Sequence, residues 1–278
     1  MIKVYTIDTG YFKLDGGAMF GVVPKTIWNK LNPADENNLC TWAMRCLLID
    51  TGSHRVLIDT GMGNKQSEKF FSYYEPSGSA TLFSSLKARG YHPQDITDVI
   101  LTHLHFDHCG MATIYDENKA LKPSFPNAVY WSNEEHWQEA LHPNPREKAS
   151  FLKENFLPLQ EWNMLKFAAE GDTITPEITI RLGYGHTRAM MLPVIHTGHR
   201  LIYYMADLIP SSWHLGLPYI MGYDLHPLTT ISEKQFFLQE IVEKNGIMFF
   251  EHDPLTEAAD LKITERGIKL NNTYKFEG

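Results

Sequence analysis

Residues 103–108 read His-Leu-His-Phe-Asp-His, which puts four potential metal ligands into six positions. They follow Asp98 to Thr102 (DVILT), a short apolar run that reads as a buried strand. The cluster therefore stands at the carboxyl end of a strand, where layered α/β proteins place their chemistry. Imidazole nitrogen and carboxylate oxygen both suit zinc, and four such groups beside a buried strand are costly to satisfy as plain core residues. In the extended part of the segment His103 and His105 point the same way, while Asp107 and His108, on the turn that follows, aim at a neighbouring point. Two adjacent cations suit this division better than one. The run thus predicts an α/β chain built around a metal centre.

The rest of the chain supplies the layers. Residues 2–8 (IKVYTID) alternate as a half-buried strand does, and residues 11–39, rich in Gly, Pro and Asn, read as a loop that carries Phe12, Met19, Phe20 and Trp28. Residues 40–50 and 55–59 form a hairpin that ends in Asp59-Thr60-Gly61. Residues 81–89 place Leu82, Phe83 and Leu86 on one helical face, and Gly90 marks the stop. Ser132-Asn133-Glu134-Glu135 has capping-box form and opens a helix that Pro143 and Pro145 end, with a second helical run over about 147–157. The stretch from about 131 to 170 reads as a helical insertion. Strand alternation resumes at Ile178, Ile180 and Leu182, and residues 189–196 and 200–205 make a second hairpin closed by Ala206-Asp207. Ser232 to Gln235 is a further capping box, opening a helix that ends at Asn245-Gly246, and the short strand Ile247 to Phe250 delivers Glu251-His252-Asp253-Pro254. The second half repeats the first in order: hairpin, helix, strand, histidine. One domain over residues 1–278, made of two similar halves, accommodates this repetition and the length.

Composition removes several function classes. A net charge of −8 disfavours an extended nucleic-acid surface, and 43% hydrophobic against 21% charged residues excludes disorder as the main state. The three cysteines, Cys40, Cys46 and Cys109, are odd in number and lack C-x-x-C spacing, which predicts reduced thiols in a reducing compartment. The opening MIKVYTIDTGYF has no basic region followed by an apolar one, and no apolar run approaches a membrane span, so the expectation is a cytoplasmic chain with no membrane segment.

With these residues in view, the sequence resembles the metallo-β-lactamase-fold hydrolases, in particular the N-acyl-homoserine-lactonase and methyl-parathion-hydrolase-like group. H-x-H-x-D-H is followed by a histidine in G-H-[ST] context (Gly185-His186-Thr187), an aspartate after the second hairpin (Asp207) and a histidine after the last buried strand (His252), while Asp59-Thr60-Gly61 matches the family's D-T-G turn. The resemblance spans nearly the whole chain. It implies a four-layer αβ/βα sandwich with two zinc ions at the edge of its sheets. His103, His105 and His186 are implied for the first zinc, Asp107, His108 and His252 for the second, and Asp207 as the bridge. Manganese, iron or cobalt suit the same donors. Asp59 is expected to orient a ligand or hold its turn. Histidines 54, 92, 136, 142, 196, 199, 214 and 226 match no slot and read as surface or core residues.

The activity that the resemblance implies is attack of a metal-bridging hydroxide on a lactone or related ester, with Asp107 passing a proton to the leaving alkoxide. An organophosphate triesterase or arylesterase with the same metals is the alternative. Arg188-Ala189-Met190 stands where glyoxalase II and its relatives usually carry P-G-x, which weakens a thioester reading. The loop Asp15 to Gly21 (DGGAMFG) and the terminal E-H-D-P favour the lactonase group. Phe12, Met19, Phe20, Trp28, Phe106 and Tyr223 are candidates for an apolar wall beside the metals. Lactonases of this type often carry tyrosine three residues after the bridging aspartate; Pro210 stands there instead, and Tyr184, His214, Tyr219 and Tyr223 are the candidate substitutes. The implied partner is a small lactone or ester. The 11–39 loop and the helical insertion are candidate surfaces for a homodimer.

Overall fold

The computed structural model describes residues 2–278. Strands β1 (Lys3–Asp15) and β2 (Leu39–Asp50) pair antiparallel, with a register shift between Asp8 and Tyr11 where Gly10 takes φ 101°. That bulge is why the alternation in the sequence stops at residue 8 although the strand runs on to Asp15: the inserted residues flip the faces and the pattern loses phase. Short helices α1 (Gly16–Phe20) and α2 (Lys25–Trp28) follow, so the stretch expected to be loop is partly structured. Asp15 caps α1 by accepting the Ala18 N–H at 2.8 Å.

Next come β3 (Arg55–Ile58), α3 (Glu68–Tyr74), α4 (Leu82–Ala88), β4 (Asp98–Ile100), the single turn α5 (Phe106–Cys109) and a separate hairpin of β5 (Thr113–Tyr115) and β6 (Leu121–Pro123). Then β7 (Val129–Ser132), α6 (Glu134–Leu141), α7 (Leu157–Glu161) and β8 (Leu165–Phe167) complete a six-stranded sheet in the order β1-β2-β3-β4-β7-β8. The stretch read as a helical insertion therefore contributes two strands to this sheet as well as two helices. Helix α6 is capped by Asn133 rather than Ser132, since the Asn133 side chain accepts the Glu135 and His136 N–H groups. Residues near 147–150 form turns rather than the second helical run.

The second sheet runs β15-β14-β13-β12-β11-β10-β9 and holds β9 (Thr173–Thr175), β10 (Ile178–Gly183), β11 (Met190–His196), β12 (Leu201–Tyr204), β13 (Ile247–Phe249), β14 (Ala258–Thr264) and β15 (Gly267–Tyr274). Between β12 and β13 lies α8 (Pro227–Glu243). It starts five residues before the Ser232 capping box, because Pro227 is already set for a first helical turn; inside the helix the Ser232 hydroxyl donates back to the Leu228 carbonyl. No helix among the described residues is long and apolar enough to cross a membrane.

Alternation along the strands shows the layers. On β2, Leu47 and Ile49 join the core between the sheets, while Cys46 and Leu48 face the cluster built with Leu82 and Leu86 of α4 and Trp137 of α6. On β12, the Tyr204 hydroxyl reaches across to the Arg45 carbonyl of the first sheet, and the Tyr203 hydroxyl donates to Glu240 of α8 on the other side. Helices thus cover both outer faces of two facing sheets. Each fully buried Leu, Ile or Phe contributes about 1.5–3 kcal/mol to holding them together.

The halves repeat one motif. An antiparallel hairpin (β2-β3, then β11-β12) leads through a helix to a strand parallel to the hairpin's second member, β4 beside β3 and β13 beside β12. The segments after β4, β10, β12 and β13 carry His103, His186, Asp207 and His252 respectively.

Candidate metal centre

The first ligand-type run is shaped by its backbone. His105 is extended (φ −65°, ψ 151°), and the one turn of α5 then folds Asp107 and His108 back toward it. The D-T-G turn locks this bend: Thr60 N–H donates to the His108 carbonyl at 2.7 Å, and a Cβ at Gly110 would collide with the Met62 carbonyl. Asp59, at φ 60°, accepts the Thr102 N–H (2.8 Å), the Thr102 hydroxyl (2.7 Å) and His108 Nδ1 (3.1 Å). It both orients a histidine and holds its turn.

All seven side chains singled out in the sequence come together, and all are buried. His103, His105, His186 and Asp207 form one group and Asp107, His108 and His252 a second; within each, the donor atoms lie within 4.8 Å of one another. Asp207 joins the two. Its Oδ2 lies 3.7 Å from His103 Nε2, 3.2 Å from His186 Nε2 and 3.5 Å from His108 Nε2, while its Oδ1 lies 3.1 Å from His252 Nε2. Asp107 Oδ2 is 3.8 Å from both His108 Nε2 and His252 Nε2.

The opposite ring nitrogens identify which atom faces inward. His186 Nδ1 meets Asp224 Oδ1 at 2.9 Å, His108 Nδ1 meets Asp59, His252 Nδ1 donates to the Ala43 carbonyl at 2.8 Å, and His103 Nδ1 sits 3.1 Å from the Thr102 hydroxyl. Each of these rings turns Nε2 to the cluster. His105 is reversed: its Nδ1 lies 3.3 Å from His186 Nε2, and its Nε2 points to Glu147 Oε1 at 3.6 Å. Both His105 Nε2 and Glu147 Oε1 are buried without a hydrogen bond, as are His103 Nε2 and Asp207 Oδ1. Of these, His103 Nε2 and Asp207 Oδ1 face the centre of the cluster and fit a cation as the missing partner, and five imidazoles with two carboxylates are a donor set for divalent metals.

Charge supports the same fit. For His186 burial lowers the pKa, but Asp207 and Asp224 outweigh it and raise it to about 10; for His252 burial is again outweighed, chiefly by Asp207, with a result of about 9. Burial, with the neighbouring His186, holds His105 down at about 4 against the pull of Glu147 and Asp207. Asp207 is pushed up by burial but held well below the carboxylate range by His108, His186 and His252. The side chains thus balance their charge with protons on several histidines, and a bound cation displaces those protons.

A cavity of about 310 Å³ opens onto the cluster, lined by His105, Asp107, His186, Asp207 and His252, by the apolar and aromatic Leu14, Met19, Tyr74, Phe106, Met221 and Tyr223, and by the polar Arg146, Glu147 and Ser150. Of the proposed apolar wall, Met19, Phe106 and Tyr223 line it. Phe12, Phe20 and Trp28 are core residues beneath it. Of the tyrosine substitutes only Tyr223 reaches the cavity. His214 is sealed behind the wall, with its ring stacked on Phe20 at 5.0 Å and Nε2 on the Met19 carbonyl. Pro210 uses its carbonyl to accept the His252 N–H at 3.0 Å. Tyr74, Glu147 and Asp224 escaped the sequence reading, since an isolated Tyr, Glu or Asp on a loop or short helix carries no local pattern.

This fold and site define the class. The chain belongs to the metallo-β-lactamase superfamily, whose family model matches residues 45–202. Asp207 and His252 lie beyond that stretch, and the fold is what brings them in. The chain is similar to N-acyl homoserine lactonase of Bacillus thuringiensis, 24% identical over 265 residues that cover 90% of this chain and 93% of the relative. Among solved structures it superimposes on a protein of Staphylococcus aureus described as a probable metal-dependent hydrolase, with a TM-score of 0.90 and 27% identity over 100% of this chain and 98% of the other. AidC, a dizinc quorum-quenching lactonase, shares the fold with a TM-score of 0.79 at 23% identity, over 97% of this chain and 94% of its own.

Proposed function

We propose that this metallohydrolase is a dinuclear zinc enzyme that opens lactone or related ester bonds bearing an apolar arm. The observation that carries the reading is Asp207, which approaches both histidine groups: Oδ2 faces His103, His186 and His108, and Oδ1 faces His252. In this reading His103, His105 and His186 hold one cation, Asp107, His108 and His252 hold the other, and Asp207 serves both. When bound, the cations supply Lewis acidity to an acyl oxygen and bring the pKa of a coordinated water toward neutrality.

The remaining work falls to the chain's own residues. Asp107 lines the cavity and takes the role of passing a proton to the leaving alkoxide. Tyr74 is raised to about 12 by burial and by the nearby Asp107, and Tyr223 is raised by burial and by Tyr74 and the surrounding carboxylates. Both stay neutral phenols, able to donate a hydrogen bond to a carbonyl oxygen in place of the tyrosine that Pro210 replaces. Leu14, Met19, Phe106 and Met221 offer an apolar arm about 0.8 kcal/mol for each methylene they bury. The lactonase names among the relatives support this substrate class.

Turnover of an N-acyl homoserine lactone and of a phosphotriester at equal enzyme tests the reading. Faster lactone opening is expected. A faster phosphotriester reaction moves the assignment to the triesterase or arylesterase alternative, and turnover of a thioester alone removes both substrate readings while leaving the metal assignment in place.

A further inference from the structure

We infer that helix α6 is a clamp on the two loops that carry His103, His105 and His186, with His136 as its positioning residue. The inference rests on the reading of those three histidines as a cation-holding set. His136 is fully buried and matches no slot in the sequence pattern. Its Nε2 accepts the N–H of Leu104, the residue between His103 and His105, at 2.9 Å. Its Nδ1–H donates at 2.9 Å to the carbonyl of Arg188, two residues after His186. One neutral ring, in the tautomer these two bonds require, therefore spans the ligand loops of both halves.

Glu139, one turn further along α6, accepts the Arg188 N–H at 2.8 Å, so a single helix grips both backbone groups of Arg188. The next residue explains why a grip is needed. Ala189 is fully buried at φ 50°, in the left-handed region that is strained for a residue with a Cβ. Such a conformation persists only where its surroundings over-determine it. His136 and Glu139 hold it from one side. On the other side β11 begins at Met190, and Met191 N–H donates to the Thr102 carbonyl at 2.8 Å.

The helix itself is fixed. Asn133 caps it and also donates to the Ala168 carbonyl at 3.0 Å, and Trp137 packs edge-on against Phe156 with centroids 5.2 Å apart. A residue that only filled the core would need neither polar contact. An apolar ring at 136 would leave the buried Leu104 N–H unpaired and the Arg188 carbonyl without its side-chain partner.

The test compares metal-stripped wild type, His136→Gln and His136→Gln/Ala189→Gly by zinc titration against a chromophoric chelator and by absorption of the cobalt(II)-loaded forms. Glutamine keeps an acceptor for Leu104 but lacks the rigid ring that aims a donor at Arg188 at the same time; glycine at 189 removes the left-handed penalty. His136→Gln is expected to keep its circular dichroism, to weaken one of two metal equivalents by about 10–100-fold, to shift the cobalt bands, and to lower kcat with little change in KM. Ala189→Gly is expected to recover part of the lost affinity. Wild-type affinity in His136→Gln, or no recovery in the double variant, overturns the clamp. If His136→Gln does not fold, Glu139→Ala cuts the same anchor at a half-buried position and must weaken the same single equivalent; wild-type affinity there overturns it. A wild type that binds no metal removes the proposed function, and the clamp with it.

Discussion

The two halves of the sandwich reach the same centre by different means. The first half supplies His103, His105, Asp107 and His108 from six consecutive residues, whose arrangement follows from an extended segment, one helical turn and the Asp59 lock. The second supplies His186, Asp207 and His252 from three separate loops, two of them held by outer contacts of their own: Asp224 and the Arg188 grip for His186, the Ala43 and Pro210 carbonyls for His252. A contiguous set takes most of its arrangement from local geometry, with His136 and Glu147 bracing it from outside. A dispersed set depends on packing far from the metals, so its members can be loosened one at a time.

The sharpest way to break this contrast is Asp207→Ala, which removes the one side chain shared by both groups. Loss of both metal equivalents and a fall in kcat/KM of more than about 10³-fold are expected, measured on a variant whose thermal unfolding remains cooperative. Retention of one tightly held equivalent would show that the groups are independent.

Glu147→Ala probes the first half from outside. It leaves His105 Nε2 without its facing carboxylate, and the metal affinity of one equivalent is expected to drop by about 10–100-fold with the fold intact. An unchanged titration would mean that the 3.6 Å approach of the two groups does no orienting.

A smaller effect tests the packing beneath the second half. Lys234 is fully buried on the inner face of α8, donating to the Gly216 and Tyr219 carbonyls and so fixing the loop that leads to Met221 and Asp224. Burial lowers its pKa from 10.5 to about 7. Between those values the folded chain binds fewer protons than the unfolded one, so this residue makes stability rise with pH across that window, by at most about 1.4 kcal/mol per pH unit. Urea unfolding at pH 7.5 and 9.5 should show a change in stability that is more positive in the wild type than in Lys234→Met, the difference between the two isolating this residue from the histidines that titrate in the same range. Equal slopes would contradict the burial argument.

The difference between the halves also explains what was legible in the sequence. H-x-H-x-D-H could be read from residue chemistry alone, because its spacing already brings the ligands together. His186, Asp207 and His252 could be placed only through a family pattern, since nothing local separates them from the eight other histidines or a surface aspartate. The hairpins and buried strands were readable from period and turn residues. The extension of β1 was hidden by its bulge, the start of α8 by a capping-box sequence inside the helix, and the strands β7 and β8 by the helices between them. Least legible were the contacts around the ligands: Glu147, Asp224 and His136 act through backbone and side-chain geometry that has no sequence signature.

The central claim is that seven side chains hold two cations through one shared aspartate. Elemental analysis of the metal-stripped chain after zinc titration and gel filtration tests it most directly. About two equivalents per chain, with hydrolytic turnover returning as they bind, is the result this account predicts; fewer than one equivalent, or full turnover in the stripped chain, would contradict it.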